Sequence, residues 1–160
     1  MKKLIYTLLI IIALTNNSFS AGDSNTTAKA SDYTKAKNLI NAAKKYEKKG
    51  KIDKAQERYA KAQKLLLKSN EIKPLQADTL NYLGFTTRKL GDYEKGEKFY
   101  LLGLQVEPNH NGINEYLGEL YVATNRMDMA KERLEVLKTC NCEEFKELKE
   151  IIEGTKKSKY

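Results

Sequence analysis

The chain has 160 residues, a formal net charge of +8, one His, two Cys and no Trp. With no Gly-rich phosphate loop, no Ser or Cys beside a plausible His base and no His pair at metal spacing, the usual catalytic constellations are missing. Neither enzymatic activity nor a cofactor is expected. The basic balance invites a nucleic-acid reading, but the Lys residues are spread over helix surfaces with Glu interleaved, as on a solvated charged face. No nucleic-acid partner is expected; a mild attraction to anionic envelope surfaces or acidic partners stays open.

Met1-Lys2-Lys3 leads into an apolar run from Leu4 to Leu14 broken only by Thr7, and largely small or polar residues follow from Thr15 to Ser20. A charged start, an apolar stretch of about a dozen residues and a small-residue exit describe a secretory signal peptide, residues 1–20. The rival reading is an uncleaved anchor, but the run falls short of the roughly 20 apolar residues a span needs. Cleavage is placed after Ser20, with Ala21 as the near alternative. No Cys lies at the exit, which disfavours a lipid-modified N-terminus. The mature protein is then periplasmic or secreted, without stable membrane insertion. Its 140 residues (the 160 less the first 20) and charge of +6 (without Lys2 and Lys3) suit one domain.

Residues 21–31 (AGDSNTTAKAS) read as a flexible leader. From there the pattern is helical throughout, and no window alternates as a strand does. A first helical pair, within 36–76, turns Leu39, Ala43 and Tyr46 inward, breaks at Gly50, and lines its second helix with Ala55, Tyr59 and Ala62. The second pair, 77–110, predicts a helix from about Gln76 to Lys89, a turn at Gly91-Asp92, and a helix from Tyr93 to Val106 that Pro108 ends. The third pair, 111–142, starts near Asn111, turns at Thr124-Asn125 and continues from Met127 to Lys138. A closing helix, 143–153, puts Phe145, Leu148, Ile151 and Ile152 on one face, and residues 155–160 form a basic tail.

These pairs repeat. Leu83-Gly84 recurs as Leu117-Gly118, Gly96 as Ala130, Tyr100 as Leu134 and Gly103 as Leu137, each 34 residues on. A fixed period of this length marks a helix-turn-helix solenoid, whose units bury apolar faces against neighbours and need a polar cap at the end. The first pair departs from it. Ala43 and Gly84 are 41 residues apart, so about seven extra residues lie around Leu67 to Lys73, before Pro74.

Leu80, Leu83, Gly84, Gly96, Tyr100, Gly103 and Pro108, with Leu117, Gly118, Tyr121 and Ala130 in the next unit, resemble the tetratricopeptide-repeat (TPR) family. The likeness covers roughly Ala36 to Cys142; Thr87, Asn114 and Cys142 depart from the family pattern. It implies an all-α fold, a right-handed α-solenoid of about three helix-turn-helix repeats with a C-terminal capping helix. Phrases such as Asn81-Tyr82-Leu83-Gly84-Phe85 and Glu115-Tyr116-Leu117-Gly118-Glu119 further resemble small exported bacterial TPR proteins, which implies a periplasmic setting without a defined activity.

The resemblance also implies a concave groove lined by the first helix of each repeat. The matching positions are Lys37, Asn41, Lys44 and Lys48, then Asn81, Tyr82, Phe85 and Lys89, then Glu115, Tyr116 and Glu119. Aromatic and cationic side chains together suit an extended peptide or an amphipathic helix. The competing reading is that the rings of Tyr82, Phe85 and Tyr116 simply pack against neighbouring helices. Relatives that clamp chaperone C-termini use Lys, Asn and Arg where this chain has Ile40, Lys44, Tyr82, Gly112 and Tyr116, so that clamp is not expected.

Cys140 and Cys142 are the only cysteines. Three readings stand: a turn-locking disulfide, a redox-active or metal-binding pair, and two unpaired thiols. Two sulfurs alone are a weak metal signal, and no metal site is expected. The leading functional expectation is a non-enzymatic scaffold that holds a protein or peptide partner. A small redox or metal-delivery protein working through Cys140 and Cys142 is the alternative, and self-association through the first repeat is a third possibility.

Overall fold

The computed structural model describes residues 31–158. The expected signal segment, nearly all of the leader and the last two residues of the tail lie outside them. Seven helices make up the described residues: α1 (Asp32–Lys48), α2 (Ile52–Ile72), α3 (Ala77–Lys89), α4 (Tyr93–Val106), α5 (Asn111–Ala123), α6 (Met127–Leu137) and α7 (Glu143–Ile152). No helix among them is long and apolar enough to cross a membrane.

Local chemistry sets the boundaries. Ser31 caps α1 by accepting the Thr34 N–H, and Asp92 caps α4 by accepting the Lys95 N–H at 3.0 Å. His110 does the same for α5, its Nδ1 accepting from the Ile113 N–H at 3.2 Å. Between α3 and α4 the chain turns at Gly91 with φ 96°, a backbone conformation that side chains resist; the corresponding turn in the third pair is made by Asn125 at φ 57°. The seven extra residues of the first pair are two further turns of helix. α2 has 21 residues where α4 has 14, and it leaves Ile72 68% exposed at the rim.

Each pair packs on itself and on its successor. In addition α1 touches α3, α3 touches α5, and α5 touches α7, whereas α2, α4 and α6 do not touch one another. The odd-numbered helices therefore form a continuous inner row, and the even-numbered ones splay outside it. An inner row closer together than the outer one makes the inner surface concave. The chain is an all-α solenoid of helical repeats closed by α7.

The core runs along the seam between the rows. Ile40, Tyr59, Leu66, Leu80, Leu83, Tyr100, Ile113, Leu117 and Leu120 are fully buried, each stabilising the fold by roughly 1.5–3 kcal/mol through lost contact with water. Two close approaches need a missing side chain. A Cβ on Gly84 would strike the Tyr100 ring of α4, and one on Gly118 would come within 2.5 Å of Leu148 on α7. The capping helix thus fills on α5 the hollow that Tyr100 fills on α3.

Candidate functional site

The concave face is built by α1, α3 and α5, with α7 at its far edge. Its upper part is filled by the protein itself. Tyr59, Phe85 and Tyr116 form a column of rings with centroids 5.7 and 5.1 Å apart. Lys44 reaches across from α1, its Nζ 4.6 Å from the Phe85 centroid and donating to the Tyr116 hydroxyl at 3.2 Å. Arg88 lies within 5.1 Å of Phe85 and 5.3 Å of Tyr116, so these rings carry two cations. Arg88 also pairs with Glu119 at 3.4 Å, both side chains withdrawn from solvent, which ties α3 to α5. Lys89 pairs with Glu47 at 2.7 Å, and Glu47 accepts the Tyr59 hydroxyl at 2.8 Å. Burial and the Glu47 carboxylate hold the Tyr59 phenol well above its ordinary range.

Phe85 and Glu119, expected on the groove wall, are therefore buried within it. Lys44 and Arg88 cover the ring, and Arg88 takes up the carboxylate. Tyr116 and Glu115 are also mostly buried, at 9% and 4% exposure.

The lower part is open. A pocket of about 350 Å³ lies between the first turns of α3 and α5, the α4–α5 turn and the start of α7. Its lining includes Asp78, Asn81, Tyr82, Glu115, Tyr116 and Glu144. Tyr82 stands on its rim, half-buried against Tyr33 at 6.0 Å, with the Lys37 Nζ 5.8 Å from its ring. Burial first, and then the nearby Asp78, raise its phenol pKa. His110 bridges to Asp78 at 3.2 Å. Four of the expected groove residues (Asn81, Tyr82, Glu115 and Tyr116) thus meet at this pocket, while Lys44 and Lys89 belong to the filled part.

Sequence reasoning passed over Arg88, Glu47, Tyr33 and Asp78. Arg88 was legible in part, since it lies three residues beyond Phe85 and seven beyond Asn81 on one helix face. Asp78 was legible in the same way, three residues before Asn81 and four before Tyr82, whereas Glu47 and Tyr33 take part through contacts distant in sequence, for which no local spacing exists.

Glu115, Glu119 and Glu147 bring carboxylate oxygens within 4.8 Å of one another. Arg88 pairs with Glu119 and Lys156 with Glu147 at 3.1 Å, so side chains of the protein already meet that charge. Cys140 and Cys142 are joined by a disulfide in the α6–α7 turn, around Asn141 at φ 48°. So bonded, neither sulfur is a thiolate able to attack or to ligate a metal.

No protein-family model matches the chain. A comparison with curated proteins finds no relative. Among solved structures it is similar to the first TPR domain of Spaghetti (RPAP3) bound to an HSP90 peptide, with 22% identity and a TM-score of 0.49 over 78% of this chain and 98% of that one. It is also similar to the first TPR domain of human RPAP3, with 20% identity and a TM-score of 0.46 over 79% and 98%. By its own geometry the chain is an all-α solenoid of helix pairs, with α3 and α4 crossing at Gly84 and α7 closing the stack.

Proposed function

We propose that this chain is a non-enzymatic protein-interaction module that holds a peptide segment of a partner on its concave face. One observation carries the reading. The inner row of helices is filled by its own side chains at one end and left open at the other, where Tyr82 and Tyr116 border a pocket with the buried amide of Asn81. A half-buried aromatic rim around a polar recess is a common form of peptide anchor site. The protein works after export, in the periplasm or outside the cell. The pattern of residues 1–20 and the Cys140–Cys142 bridge both support an oxidising compartment.

Changing Tyr82 and Tyr116 to Ala tests this. With a tagged chain expressed in its native envelope, the double variant is expected to lose the proteins that co-purify with the parent, and Tyr82→Ala alone, which spares the buried Tyr116 stack, to weaken their capture with its helical circular dichroism kept. Unchanged co-purification would sink the groove reading.

A further inference from the structure

The open pocket differs in charge from the molecule that carries it. Asp78, Glu107, Glu115 and Glu144 border it, and among the described residues no Lys or Arg lines it, on a chain of net charge +8. His110 does not offset this. Its Nδ1 accepts from the Ile113 N–H, so the neutral ring already suffices to donate from Nε2 to Asp78. Asn81 adds a second, independent demand. It is 5% exposed, it lines the pocket, and its Oδ1 is buried without a hydrogen-bond partner. A buried acceptor without a donor costs about 1–3 kcal/mol, which an incoming N–H can recover. The carboxylates and the amide oxygen together ask for a positively charged, multiply donating group.

A bare divalent ion does not fit that arrangement. The three carboxylates drawn within 4.8 Å of one another are Glu115, Glu119 and Glu147, of which only Glu115 belongs to the pocket. The pocket's acids come instead from α3, the α4–α5 turn, α5 and α7, spread around some 350 Å³. An ammonium or guanidinium on a flexible stem can span such a space, and the edges of Tyr82 and Tyr116 suit its apolar stem.

The chain's own tail shows what this side of the face accepts. Beyond α7 the backbone turns back, with the Thr155 and Lys156 N–H groups donating to the Glu150 carbonyl at 3.0 and 3.1 Å. Lys156 then lies 3.1 Å from Glu147, and the Ser158 hydroxyl donates to Glu119 at 3.5 Å. A basic segment thus already runs along the carboxylates of α7 and α5. On the opposite side, α1 presents Lys37 and Lys44 over the rings. The face is polarised, basic toward α1 and acidic toward α5 and α7.

We propose that the pocket receives an Arg or Lys side chain of a basic partner peptide, laid so that its cationic residue faces α5 and α7. This deepens the groove reading and rests on it. The test is fluorescence anisotropy of the full chain with two labelled peptides of one length, one carrying two Arg and the other Gln in their place. The Arg peptide is expected to bind at least tenfold more tightly. The Asp78→Asn/Glu144→Gln double variant is expected to abolish that preference with the melting temperature little changed. Equal binding of both peptides, weakened for both by Tyr82→Ala, overturns the cation pocket and leaves the groove reading standing. If neither peptide binds the parent or the Tyr82→Ala variant, both readings fall. Calcium chloride that displaces the Arg peptide at micromolar concentration, where sodium chloride of equal ionic strength does not, also overturns the cation pocket, in favour of a metal.

Discussion

Replacing Arg88 by Met removes the charge that links α3 to α5 and leaves Glu119 in a site with no access to solvent. Both side chains of the pair are fully withdrawn from water, at 3.4 Å. Removing one partner of such a buried pair costs about 3–5 kcal/mol, because the remaining charge loses its counter-ion. Loss of the cation beside Phe85 and Tyr116 contributes up to about 2 kcal/mol of related stabilisation, already included in part. For a domain of this size, a midpoint drop of roughly 10–20 °C follows. Urea and thermal unfolding followed by circular dichroism measure it. Two controls separate the causes. Arg88→Lys keeps the charge but loses the planar guanidinium, and is expected to fall between parent and Arg88→Met. Arg88→Met/Glu119→Leu removes both charges and is expected to recover much of the loss. A single-variant cost below about 1 kcal/mol, or a double variant as unstable as the two singles added together, would refute the account.

Two further outcomes follow from the same structure. The Cys140–Cys142 ring encloses so little chain that the loop-entropy relation gives it at most about 1.6 kcal/mol, so reductant is expected to lower the melting temperature by under roughly 7 °C; a loss above about 3 kcal/mol would contradict this. At alkaline pH, burial, then Glu97, push the Tyr121 phenol up to about 12, and burial likewise raises those of Tyr33, Tyr59, Tyr82 and Tyr100. An acid whose folded pKa is raised stabilises the fold fully below its unfolded value near 10 and loses that contribution as pH climbs toward the folded value. A spectrophotometric titration is therefore expected to show phenolates appearing together with cooperative unfolding between about pH 10 and 12, and a simple titration of every Tyr near 10 with the fold intact would refute it.

The helical framework was legible because it is periodic. The spacing placed the second helix of the middle repeat at Tyr93 to Val106, and α4 has those bounds. The seven extra residues of the first pair were legible as a count, but the 34-residue template holds no information on their conformation, which is helix. The groove was legible only as a set of outward positions. Period alone separates inside from outside on one helix, and Phe85 and Glu119 sit where a third direction, toward the next inner helix, decides burial. Arg88 and Glu119 are 31 residues apart and each reads locally as a solvated charge; only the approach of α3 to α5 makes them a buried pair. The return of Lys156 to Glu147 is hidden for the same reason.

The contact of α1, α3, α5 and α7 along one side, without contact among α2, α4 and α6 on the other, also has a mechanical meaning. The inner row forms a continuous line, and each outer helix rests on its own pair and on the next inner helix. Arg88–Glu119 fastens the joint between α3 and α5, and Lys89–Glu47 with the Gln56 and Gln63 side-chain bonds to α3 fastens the joint between the first and second pairs. With both joints tied by side chains, a bound segment would meet a face whose curvature is already set.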